Sequence, residues 1–102
     1  MQVKAREKIR ASVERMVTKY AERSPFLLNP DKVVTENIIA GLVRNKIKYG
    51  YVYCPCREVR GVFERDRDNI CPCRTHRDEI ANQGTCECGL FVGEAYFSQK
   101  ME

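Results

Sequence analysis

Six cysteines fall between residues 54 and 88 as three Cys-x-Cys pairs, and the sequence holds no others. They read Cys54-Pro55-Cys56, Cys71-Pro72-Cys73 and Cys86-Glu87-Cys88. Cysteine used as a small core hydrophobe would be scattered over the apolar faces of helices. Thiols gathered this closely require a chain that brings the three pairs together. Three chemistries meet that requirement: a disulfide framework, zinc, or an iron–sulfur cluster with thiols to spare.

The remaining composition bounds the setting. A length of 102 residues predicts one domain, spanning 1–102, for which a metal centre or cross-link adds useful stability. The N-terminus is charged from Lys4 onward and shows no apolar signal-like run, and no segment reaches membrane-spanning length. The expected location is therefore a reducing cytoplasm, where metal ligation or redox catalysis is favoured over a structural disulfide framework. The net charge of +4 is concentrated early, with seven basic and three acidic residues through Arg23. A basic helical face of this kind suits a solvated surface or an acidic protein partner. Nucleic acid is a poor fit, because no recognition motif or interleaved aromatic set accompanies the basic residues.

Along the chain, Ile9, Val13, Met16, Val17 and Tyr20 recur at helical spacing and predict an amphipathic helix over residues 3–23, ended by Ser24-Pro25. Phe26-Leu27-Leu28 reads as an apolar connector. Asn29-Pro30-Asp31 has the form of a helix start, with Asn29 as cap and Pro30 in the first turn. The second helix would bury Val34, Ile38 and Leu42, flanked by Val33, Ile39, Val43 and Ile47, and close at Gly50. These elements make residues 1–50 an N-terminal helical part and 51–93 the cysteine site. Tyr51-Val52-Tyr53 predicts an extended entry to the first pair, and the charged stretch 57–70 a loop with a helical turn. Thr75-His76-Arg77-Asp78 resembles a capping box opening a short helix that ends at Gly84. Gly89-Leu90-Phe91-Val92-Gly93 is expected to pack over the site, and residues 94–102 form a terminal element of unassigned type.

A structural zinc ion needs four ligands and usually draws on wider cysteine gaps, so zinc leaves two thiols unexplained. A four-iron cluster also takes four thiolates, yet there the surplus has a use: two thiols beside a one-electron carrier can form a reducible disulfide. Proline in the first two pairs stiffens the link between its neighbours. Residues i and i+2 are poorly placed to bridge each other, so a disulfide would join different pairs. Counting does not say which four cysteines would bind iron.

Two Cys-Pro-Cys pairs followed by Cys-x-Cys-Gly-Leu-Phe-Val resemble the catalytic subunit of ferredoxin–thioredoxin reductase, a small, mainly helical iron–sulfur protein. Asn29-Pro30-Asp31 before a long helix, and Tyr53 before the first pair, are also similar, so the resemblance covers most of the chain beyond the first helix. The resemblance implies a mainly α, single-domain fold with loops bearing the three motifs. It further implies that Cys54, Cys71, Cys73 and Cys86 ligate a [4Fe–4S] cluster and that Cys56 and Cys88 form a redox-active disulfide. By the same resemblance Cys56 attacks the target disulfide and Cys88 resolves the mixed disulfide. A donor near about −400 mV and a thioredoxin near about −270 mV differ by roughly 130 mV, or about 6 kcal/mol for two electrons, so the transfer runs downhill.

Plant-type members have His between the last two cysteines, where this chain has Glu87. The 14 and 12 residues separating the successive pairs also differ from theirs, the longer final gap being similar to that of bacterial and archaeal relatives. The expected proton donors are therefore His76, the only imidazole, and Glu87 itself. Against these stand a solvent-facing His76 at a helix start and a solvated turn carboxylate at Glu87. Arg57 and Arg74 read as surface arginines, with a depressed thiol pKa nearby as the alternative.

The expected activity is that of a soluble iron–sulfur disulfide reductase, taking electrons from ferredoxin and passing them to thioredoxin or a glutaredoxin-like protein, with or without a second subunit. Its rivals are a non-catalytic iron–sulfur electron carrier and a zinc-stabilised interaction module.

Overall fold

The computed structural model describes residues 3–101. Its elements are α1 (Val3–Arg23), β1 (Leu27–Leu28), α2 (Lys32–Tyr49), α3 (Phe63–Asp66) leading into a 3-10 turn (Arg67–Asn69), α4 (His76–Gln83), β2 (Phe91–Val92) and α5 (Glu94–Met101). The protein is mainly helical, as expected. The terminal element left unassigned by the sequence is helix α5.

The predicted apolar face of α1 is the one that faces inward: Val13 and Val17 are buried, with Ile9, Met16 and Tyr20 packed against the same core. It meets α2 through Ile38, Ile39, Leu42 and Val43, all buried. Leu42 is fully inaccessible, which contributes on the order of 2 kcal/mol to stability. Val33 departs from expectation. It sits in the first turn of α2 and is 68% exposed.

The start of α2 also differs from the sequence reading. Asp31, not Asn29, is the cap: its carboxylate accepts from the amides of Val33 and Val34, and Pro30 lies before the helix. Asn29 is buried and serves a longer-range purpose. Its side-chain amide donates to the Gly89 carbonyl at 2.8 Å, while its Oδ1 accepts from Asp31 N–H at 2.9 Å. Gly50 ends the helix in the left-handed conformation, as predicted, returning its amide to the Lys46 carbonyl.

Phe26-Leu27-Leu28 is more than a connector. Leu27 and Leu28 pair antiparallel with Val92 and Phe91, and the Asn29 amide continues the ladder to the Leu90 carbonyl. This short ribbon ties the entry to α2 to the segment after the last cysteine pair. Two-residue strands are too short to show a period of two, so the pairing left no trace in the sequence pattern. Leu90, Phe91 and Val92 are all buried, and Phe91 lies edge-on to Tyr20 of α1.

Among the described residues, no helix is long and apolar enough to cross a membrane.

Candidate active site

Local backbone pairing brings the cysteine pairs together. Tyr53 forms an antiparallel bridge with Ile70: the Cys54 amide donates to the Asn69 carbonyl, and the Cys71 amide to the Val52 carbonyl. That bridge sets the first two Cys-Pro-Cys motifs side by side. From α2, the Asn45 side chain donates to the Tyr53 carbonyl at 2.7 Å and anchors the strand entering Cys54. The third pair sits in a tight turn in which the Gly89 amide reaches the Cys86 carbonyl, with Gly89 at φ +84°, a value that favours glycine. The Phe91 amide then donates to Cys86 Sγ at 3.4 Å.

Cys56 and Cys88 are joined in a disulfide, with Cα atoms 5.6 Å apart and a separation of 32 positions in sequence. The bond links different pairs. Cys56 is exposed at the surface and Cys88 is half-buried. Cys54, Cys71, Cys73 and Cys86 are free and buried. All four, together with Cys88 and Glu87, line one narrow pocket closed by the two cysteine-flanked prolines and by apolar side chains such as Phe91. Cys54 is in hydrogen-bonding contact with both Cys71 and Cys73; its contact with Cys71 and its burial push its thiol up to about 12. The contact with Cys54, together with burial, also raises the Cys73 thiol, against a smaller opposing effect from Arg57 and Thr75.

A polar network borders the sulfurs. Arg57, expected at the surface, is instead held between Cys73 and α4. Its Nη2 lies 3.8 Å from Cys73 Sγ and 3.2 Å from Thr75 Oγ1, and it pairs with the Glu79 carboxylate. The Glu79 carboxylate also accepts from Thr75 Oγ1 at 2.7 Å and from the Glu87 amide at 2.9 Å. Burial alone would raise the Glu79 carboxyl; hydrogen bonds from Thr75, the Glu87 amide and Arg57 outweigh it and hold the group below the usual carboxylate range. The expected capping box at Thr75 does not form. Thr75 has ψ near 5°, not the extended value of a side-chain cap, and turns its hydroxyl to Glu79. Arg74 does sit on the surface, paired with Asp68.

His76 does not face solvent. It is buried beside the thiol pocket, with Nδ1 against the Cys73 carbonyl and Nε2 against the Tyr20 hydroxyl. A carbonyl only accepts, so Nδ1 bears the proton; in the neutral ring Nε2 then accepts from Tyr20. Glu87 is exposed on the rim, fixed by its backbone amide.

Residues 3–102 match the family model described as ferredoxin thioredoxin reductase catalytic beta chain. The chain belongs to this family. Among family relatives, the ferredoxin–thioredoxin reductase catalytic chain of Porphyra purpurea is 35% identical over 79 residues, covering 72% of this chain and 60% of the relative. The catalytic chain of Pyropia yezoensis is 34% identical over 79 residues, covering 72% of this chain and 61% of its own. That of Guillardia theta is 28% identical over 83 residues, covering 79% and 78% respectively. The chain thus spans about three fifths of the length of the first two relatives.

Membership in the family leaves the thiol site to its own chemistry. Among the described residues, no three Cys, His, Asp or Glu side chains are arranged to hold a metal ion. Four free, buried thiols opening on one pocket match in number and kind the ligands that a four-iron cluster takes, and could hold one. Sequence reasoning missed Glu79 and Tyr20. Glu79 stands four residues after Thr75, on the same helical face, and that spacing was the only signal available for it. Tyr20 reads in sequence as one more member of the apolar face of α1.

Proposed function

We propose that the protein is a disulfide reductase, accepting electrons from ferredoxin and delivering them through the Cys56–Cys88 disulfide to thioredoxin or a glutaredoxin-like protein. One observation carries this reading: a single disulfide has one sulfur at the surface and the other against a pocket of four free thiols. An inert structural cross-link has no need of that asymmetry, whereas exchange with a protein partner requires one accessible sulfur and a second held in reserve.

Cys54, Cys71, Cys73 and Cys86 would hold a [4Fe–4S] cluster, which when bound supplies electrons one at a time to the neighbouring disulfide. The chain's own residues account for the rest. Once Cys56 and Cys88 are a dithiol, the Cys56 thiolate attacks a sulfur of the target disulfide, forming a mixed disulfide and releasing one target thiolate. The Cys88 thiolate then attacks Cys56 Sγ, the mixed bond breaks, and the target leaves as a dithiol while Cys56–Cys88 reforms. Two electrons pass to the target. Proton exchange with solvent is assigned to Glu87 on the rim. His76, with both ring nitrogens engaged, fixes the pocket wall at Cys73 and is the second proton-handling group.

Residues 1–50 provide the helical scaffold and 51–93 the site, within one unit of 1–102; a second subunit remains compatible with this arrangement. The deciding experiment measures iron, acid-labile sulfide, zinc and thiols on protein purified without oxygen, followed by turnover with ferredoxin and thioredoxin. About four iron and four sulfide per chain, with two further thiols appearing on mild reduction, match the proposal. Loss of thioredoxin reduction in Cys56→Ser supports the nucleophile; unchanged turnover sinks it. Glu87→Gln should alter the pH dependence of turnover, and an unaltered profile removes its proton role. Zinc without sulfide would favour the interaction module.

A further inference from the structure

The Glu79 carboxylate touches both arms of the disulfide. On one side it pairs with Arg57, the residue after Cys56; on the other, Oε1 accepts from the amide of Glu87, the residue before Cys88. Thr75 Oγ1, at the residue just before α4, braces it at 2.7 Å. The side chain is 17% exposed, so these bonds are partly shielded from water and stronger than surface contacts. The two cysteines lie 32 residues apart in sequence, so when the sulfur–sulfur bond opens, their proximity depends on noncovalent links.

We propose that Glu79 is a positioning residue, a strap that keeps Cys56 and Cys88 within bonding range while they are reduced. This inference rests on reading the disulfide as redox-active. Holding two thiols together raises their effective concentration and favours ring closure, the step by which Cys88 displaces the target from Cys56. Without the strap, the arms gain freedom only in the dithiol state, and the equilibrium moves toward dithiol.

The test is a redox titration of the anaerobic holoprotein with mixtures of reduced and oxidised dithiothreitol, trapping and counting thiols. In that reaction dithiothreitol gives up two electrons and two protons and becomes its cyclic disulfide, while Cys56 and Cys88 become thiols. Glu79→Ala and Arg57→Gln should each move the equilibrium constant about tenfold toward dithiol, a rise in potential of about 30 mV. The double variant should move it no further than the larger single change. Ile39→Val, a core substitution remote from the strap, should leave it at the wild-type value, because lost stability alone does not alter a dithiol equilibrium within the folded protein. Iron and sulfide content confirm that each variant is folded and loaded; if Glu79→Ala does not accumulate, Glu79→Gln takes its place alongside Arg57→Gln. Wild-type constants in both the Glu79 and the Arg57 variants, with a wild-type disulfide that exchanges normally, overturn the strap alone. A wild-type disulfide that never exchanges overturns the redox reading, and the strap with it.

Discussion

Pro55 rests directly on the backbone of Gly41: a Cβ at position 41 would stand 2.5 Å from the Pro55 Cγ and 2.8 Å from its Cβ. The middle residue of the first Cys-Pro-Cys motif is thus seated on α2, the most buried helix, at the one point where that helix has no side chain. A rigid scaffold beneath the motif fixes where Cys54 and Cys56 diverge, one inward and one to the surface.

Gly41→Ala is expected to lower stability by about 1–2 kcal/mol despite the better helix propensity of alanine, because the proline ring is not a flexible end that can swing aside. The melting temperature should fall by roughly 5–10 °C. An unchanged or higher value in a thermal melt would mean that the motif shifts freely on α2.

Exposure predicts an order of chemical modification. After mild reduction, a thiol-alkylating reagent should label the exposed Cys56 first and the half-buried Cys88 more slowly, sparing the four buried cysteines. Peptide mapping by mass spectrometry reads the order directly. Labelling of Cys88 ahead of Cys56 would reverse the assignment of attacking and resolving thiols.

Asp66 is buried at the end of α3, and its carboxylate accepts from the amides of Arg60 and Gly61 at 3.0 and 2.9 Å. It thereby pins the loop that leaves Cys56. Asp66→Ala leaves two donors unsatisfied and should cost about 3 kcal/mol in urea denaturation, with Asp66→Asn costing about half as much because one acceptor oxygen is kept. Equal stability of Asp66→Ala and wild type would show that water satisfies both amides.

Asn29→Ala should cost about 1–2 kcal/mol, since it removes the bond to the Gly89 carbonyl and the brace on Asp31. The more specific expectation is local. Faster hydrogen exchange at the Asn29 amide, which bonds the Leu90 carbonyl, should accompany the loss, because the ribbon between the α2 entry and the last cysteine pair loses its flanking clamp. Wild-type exchange there would confine the role of Asn29 to the start of α2.

The two long helices, their buried faces and their ends at Ser24-Pro25 and Gly50 were legible in the sequence, because apolar periodicity and the conformational limits of proline and glycine act within a few residues. So was the requirement that the fold bring three cysteine pairs together, since thiols gathered so closely in sequence need a chemical reason. What only the tertiary structure decided depends on neighbours distant in sequence. Asn29 looks like a cap but clamps Gly89, Arg57 looks like a surface charge but meets Glu79, and His76, which in sequence could reach the site or face solvent, is buried against Tyr20. Each of these side chains offers the same hydrogen-bonding groups to near and remote partners alike. The packing of α1 on α2, and the ribbon that closes over the last cysteine pair, determine which partner arrives, because a buried polar group must be satisfied by whatever the fold brings beside it.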